Sequence, residues 1–210
     1  MTLFRTVLAM MVLAFFAFAA QAQTLPKPKE FYFDEDRNTA RPIVVIEGQG
    51  EPLAEQLLKA IERGRKRTEA QAQLAHVAIT QDRAGLGKTL YAEALASTDS
   101  GGRLGRSIRW NYAWDLYRLG ESQAALEQWA ELASGFGTPS WVPPTLALAL
   151  WSVNRKDEAV QWYAAAVRTE PLLWGDPGNF QRLLPAWSEQ DRAKLAEVQA
   201  AWQAKPPSWP

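Results

Sequence analysis

The stretch Gly85-Leu86-Gly87-Lys88-Thr89 has the residue types that come nearest to chemistry in this chain. A phosphate-binding loop needs Gly, four residues, then Gly-Lys-Ser/Thr, and the first glycine opens the backbone cradle. That first position is Asp82, whose carboxylate would repel a phosphate. His76 is the one histidine, and the chain has no Cys, so a metal site would lack both a second imidazole and any thiolate. As a general base His76 would need an oriented nucleophile, and no serine motif marks one. Asp34-Glu35-Asp36 could attract a cation but lacks the alternating ligands and the glycine of a calcium loop. Asp115, Glu127 and Glu131 could furnish a hydrolytic carboxylate pair, yet their spacing is that of exposed helix positions. Arg63, Arg65, Lys66 and Arg67 are flanked by Glu62 and Glu69 and read as a solvated turn. No constellation is specific, so no catalytic residue, metal or cofactor is assigned, and the chain is expected to bind rather than to catalyse.

The elements that would position any site follow from composition. The 210 residues carry 23 basic and 23 acidic side chains and are 47% apolar. A neutral chain lacks the basic surface that nucleic acid requires, and 47% apolar is enough to build a core. Arg5, the apolar run Val7 to Ala20 and Ala20-Gln21-Ala22 read as the charged, apolar and cleavage regions of a secretory signal peptide. The run is shorter than the ~20 residues needed to span a bilayer. The mature product is therefore expected to begin at Gln23, to be periplasmic or secreted, and not to be an integral membrane protein. Phe31-Tyr32-Phe33 and Pro42 to Ile46 have the bias of short strands, so residues 23–50 read as an extended or β segment. The same segment could instead lie in a groove, where Phe31-Tyr32-Phe33 would be self-inhibitory.

From Glu51 the pattern is helical almost to the end. Comparing the chain with itself exposes a repeat. A shift of 34 residues carries Ala113 onto Ala147, Leu116 onto Leu150, Gly120 onto Asn154, Ala125 onto Ala159 and Trp129 onto Tyr163. A weaker upstream copy, offset by 38, holds Ala75, Ala78, Gly87, Tyr91 and Ala94 at the same internal spacing. Small residues at those positions let two antiparallel helices approach closely, and the aromatic fills the gap to the next pair.

This pattern resembles the tetratricopeptide repeat (TPR), a helix–turn–helix unit. The residues that carry the resemblance are Ala113, Gly120, Ala125 and Trp129 in one copy and Ala147, Asn154, Ala159, Tyr163, Ala166 and Pro171 in the next. The family's Trp and Leu-Gly near the start of the first helix are missing here. The resemblance implies an all-α, short α-solenoid. Its expected parts are a signal peptide (1–22), an extended segment (23–50), a leading helix (51–66), repeats over 67–105, 106–139 and 140–173, a capping helix region (174–204) and a tail (205–210). Glu189 to Gln203, with Leu195, Val198 and Trp202 on one face, would be the cap.

In such arrays the first helix of each unit lines a concave groove. The candidate groove residues are His76 and Ile79, then Trp110, Trp114, Tyr117 and Arg118, then Trp141, Leu148 and Trp151. Ala75, Gly87, Tyr91, Ala113, Ala125, Trp129, Ala147, Ala159 and Tyr163 are the expected packing positions. Trp and Tyr are enriched at binding hot spots. The expected function is an exported scaffold that binds a protein or peptide segment, in envelope assembly or secretion, with Trp110 and Trp114 replaceable without unfolding. Glycan binding through exposed Trp faces is the alternative, with a hydrolase behind it.

Overall fold

A computed structural model describes residues 25–28, 36, 38–133 and 139–208. The expected signal peptide, residues 1–22, and Phe31-Tyr32-Phe33 lie outside the described residues, as do Asp34 and Glu35. The described residues form an all-α structure without a strand. Three helix pairs make its body. They are α2 (Arg67–Thr80) with α3 (Ala84–Ala96), α4 (Arg103–Arg118) with α5 (Ser122–Ala133), and α6 (Val142–Ser152) with α7 (Lys156–Thr169). The helix α1 (Gly50–Glu62) packs on α2. The short α8 (Pro171–Trp174) and α9 (Phe180–Leu183) lead into α10 (Glu189–Ala204), which packs on α6 and α7 and buries Leu195 and Val198 there. Ser188 starts α10 with a reciprocal capping box to Asp191.

The turn inside each pair is the same turn three times. Asp82, Gly120 and Asn154 all take left-handed backbone, with φ of 61°, 81° and 62°. In each, the next residue's N–H reaches back to a helix carbonyl. Arg83 donates to Ala78, Glu121 to Leu116 and Arg155 to Leu150, each at 2.9 Å. This is the Schellman closure, which satisfies carbonyls that the ended helix leaves bare. Asp82 is thus a turn residue.

Gly85 to Thr89 lies inside α3, and Lys88 pairs with Glu121 at 2.5 Å across to the next turn. At Gly87 the two helices nearly touch. A Cβ there would collide with the Ile79 side chain and stand 2.7 Å from the Ala75 carbonyl oxygen. At the matching crossings Ala113, Ala125, Ala147 and Ala159 are fully buried and leave room for a methyl group. Gly87→Ala is therefore expected to destabilise the protein by about 1–3 kcal/mol through overpacking, despite its better helix propensity. Gly85, with nothing within 4 Å, should accept Ala with no loss. Urea midpoints of the two variants test this, and equal midpoints would refute the close-approach assignment.

Pro42 to Ile46 does not pair into a sheet. A side-chain amide takes the part of a neighbouring strand. Gln73 Oε1 accepts from Val45 N at 2.7 Å and Ile46 N at 3.1 Å, while its Nε2 donates to the Ile46 carbonyl at 2.7 Å.

Candidate functional site

The first helices of the three pairs, α2, α4 and α6, share one face, and a stretch of the chain that turns at residues 39–40 crosses it. Asp36 lies by the starts of α4 and α6. Arg106 reaches its carboxylate at 3.3 Å, and Trp141 Nε1 donates to its carbonyl at 3.2 Å. Further along, Asn111 Nδ2 donates to the Arg41 carbonyl at 2.9 Å, and Gln73 on α2 then grips residues 45 and 46. Burial raises the pKa of Asp36, but hydrogen bonds from Thr39 and Asn38 outweigh it and leave the carboxyl below its usual range.

Beside this stretch lies a cleft of about 790 Å³. Residues 40–50 form one wall, residues 183–187 the other, and α2, α4 and the start of α6 the floor. Its volume falls within the roughly 300–1,000 Å³ typical of ligand sites. Trp187 and Leu184 come from the second wall, and Trp110 and Trp114 from the floor.

A polar network closes one end. Asp115 on α4 is 1% exposed. It accepts from Tyr91 OH on α3 at 2.7 Å, and its oxygens lie 2.9 and 3.0 Å from His76 Nδ1 on α2. Arg118 adds a long contact at 3.5 Å. A carboxylate only accepts, so the proton of a neutral imidazole sits on Nδ1, and the other ring nitrogen has no partner among the described residues. The arrangement orients an imidazole in the way general bases are oriented, but no hydroxyl or thiol nucleophile bonds to it among the described residues.

Burial pushes the Tyr91 phenol well above its ordinary range, and the charge and hydrogen bond of Asp115 push it further. Burial likewise raises Tyr163, with a lesser contribution from Asp176. A tyrosine whose folded pKa exceeds its unfolded value near 10 stabilises fully below that pH and loses the contribution as pH rises above it. Tyr91 and Tyr163 should therefore ionise only as the protein unfolds. Absorbance titration alongside circular dichroism tests this, and ionisation of all five tyrosines ahead of unfolding would refute it.

Of the candidate groove residues, His76, Trp110, Trp114, Arg118 and Trp141 line the cleft. Trp110 and Trp114 are buried, 6% and 7% exposed. Their faces meet other rings, Trp110 against Trp141 at 4.6 Å and Trp114 against Trp129 at 5.0 Å and Trp187 at 5.1 Å. They belong to the core, so the expectation that both can be removed without unfolding is withdrawn. Leu148 is fully buried, and Ile79 packs between α2 and α3. Tyr117 bonds to Ser152 at 3.0 Å, and Trp151 donates to Glu197 beneath the Lys156 ammonium. The packing positions Ala75, Gly87, Tyr91, Ala113, Ala125, Trp129, Ala147, Ala159 and Tyr163 are all buried.

Sequence reasoning passed over Gln73, the Asp115–His76–Tyr91 network and the 183–187 wall. A signal for Asp115 existed. In the repeat register it matches Val77 and Ala149, both buried, and a carboxylate at an apolar register position asks for partners.

No group of three or more potential ligands is placed to hold a metal among the described residues. No described helix is long and apolar enough to cross a membrane. Comparison with known proteins finds no family model, curated protein or solved structure that matches this chain.

Proposed function

We propose that the chain is an exported, TPR-like helical adaptor whose shared face of first helices takes up an extended polypeptide segment of a partner protein. One observation carries the reading. The face already holds main chain at Asp36, Arg41, Val45 and Ile46 through side-chain bonds from Gln73, Asn111 and Trp141 to backbone atoms. Bonds to main chain give affinity independent of side-chain identity, the principle of strand-like peptide recognition. Apolar contacts made by Ile43 and Ile46 then set the preference for β-branched residues. The partner segment is accordingly extended, apolar and similar to Pro42-Ile43-Val44-Val45-Ile46. The threefold turn and the small residues at the helix crossings support the TPR-like reading, and the signal-peptide pattern of residues 1–22 supports export.

The test replaces residues 42–46 by Gly/Ser in the full chain and adds a labelled peptide of residues 36–47. The peptide should bind this variant, bind the unaltered chain far less, and lose about tenfold in affinity when Gln73→Ala is added. A folded variant that ignores the peptide would refute the reading. Export is tested separately, by expression in a bacterium and determination of the mature N-terminus, expected at Gln23.

A further inference from the structure

We infer that the His76 end of the cleft binds a small amphipathic carboxylate, its head on Arg118 and His76 and its apolar body against Trp110, Trp114 and Trp187. The inference is independent of peptide uptake by the groove. The cleft is apolar along its floor and far wall, and its cationic donors converge at one end. An apolar pocket with few convergent polar groups is the usual form of a small-molecule site.

Arg118 is half exposed and lies over the Trp114 ring at 5.6 Å. Its one polar contact among the described residues is the long one to Asp115, so most of its five N–H donors are unused. The planar guanidinium matches a carboxylate in two-pronged fashion. His76 is likewise half exposed. Asp115 holds its Nδ1, and Nε2 has no partner among the described residues. Tyr91 and Asp115 are buried and bonded to each other, so the dyad has a rigid base.

The unused donors of Arg118 decide the sign of the ligand. The Arg118 cation offsets the Asp115 carboxylate, and its unused N–H donors suit an anionic acceptor. The titratable and charged groups lining this end are Asp115 and Arg118 on α4, Tyr91 on α3 and Glu47 ahead of α1. A carboxylate head would take the unused Arg118 donors, with the His76 ring beside it. A cationic head would offer the Arg118 guanidinium no acceptor, and a neutral head would leave it without a counter-charge.

The probe is sodium octanoate, titrated into the full chain and followed by calorimetry and by fluorescence of the cleft tryptophans. The controls are 1-octanol and octylamine. Octanoate should bind saturably at neutral pH. Octanol should bind at least about tenfold more weakly, and octylamine should not compete. Arg118→Gln and His76→Gln should each weaken octanoate by about tenfold or more. Both side chains are half exposed, so both variants should keep the wild-type circular dichroism. Octanol binding as tightly as octanoate, unchanged affinity in either variant, or no saturable octanoate signal would overturn the inference.

Discussion

Trp114→Ala should lower the free energy of unfolding by about 3–5 kcal/mol, the range for truncating a core aromatic. Trp114 is the joint of the central core. Its ring meets Trp129 of α5 at 5.0 Å and Trp187, ahead of α10, at 5.1 Å. Trp110 and Tyr117 of its own helix lie at 5.9 and 5.8 Å. All four contacts are edge-to-face, a geometry that adds about 0.5–1.5 kcal/mol per pair beyond simple burial. Truncation would leave a void that three separate chain segments must close at once, and a well-packed interior relaxes only partly. Trp151→Ala is the control. That ring is partly exposed, and its indole bonds to a surface carboxylate, so a loss of about 1 kcal/mol is expected. Urea unfolding and the near-ultraviolet dichroism of the tryptophans measure both. An unchanged Trp114→Ala midpoint would remove this ring from the core.

Asp115→Ala should cost about 2–4 kcal/mol. Leaving the buried Tyr91 hydroxyl without an acceptor accounts for roughly 1–3 kcal/mol of that, and the half-exposed His76 and Arg118 add less because water screens them. The damage is shared with Tyr91, which gives a sharper test. Tyr91→Phe removes the orphaned hydroxyl, so the double variant should be more stable than the sum of the two single losses, by at least about 0.5 kcal/mol, as expected for contacting residues. Strict additivity would mean that the hydroxyl and the carboxylate do not act together. Asp115→Asn keeps the shape but adds donors to a site that needs acceptors, and should fall between wild type and Asp115→Ala.

The all-α character was legible in the sequence because helix periodicity and helix ends are local. Gly120 and Asn154 are residues that tolerate left-handed backbone, so their places as turn residues follow from residue type. In the sequence Asp82 speaks only against a phosphate-binding loop, and the structure shows it as the third turn residue, with φ of 61°. The small residues at 75, 87, 113, 125, 147 and 159 follow the same periodicity, because helices that cross closely need them wherever the pair recurs. The strand-like bias of Pro42 to Ile46 was equally legible, but β-branched residues only make a segment prefer to be extended. What it pairs with is a separate question, and here Gln73 supplies the partner.

Tertiary structure alone decided which aromatics are covered. Trp110 and Trp114 occupy helix positions that a groove would expose, and periodicity places them on that face. Their burial comes from residues 38–50 folding back over the face and from Trp187 arriving 73 residues after Trp114 in the chain. The network of His76, Tyr91 and Asp115 likewise joins residues 24 and 39 apart. Local sequence determines backbone preference and the direction of a side chain around its helix. Burial and hydrogen-bond partnership depend on which distant segment covers that side chain, and that depends on the packing of the whole chain.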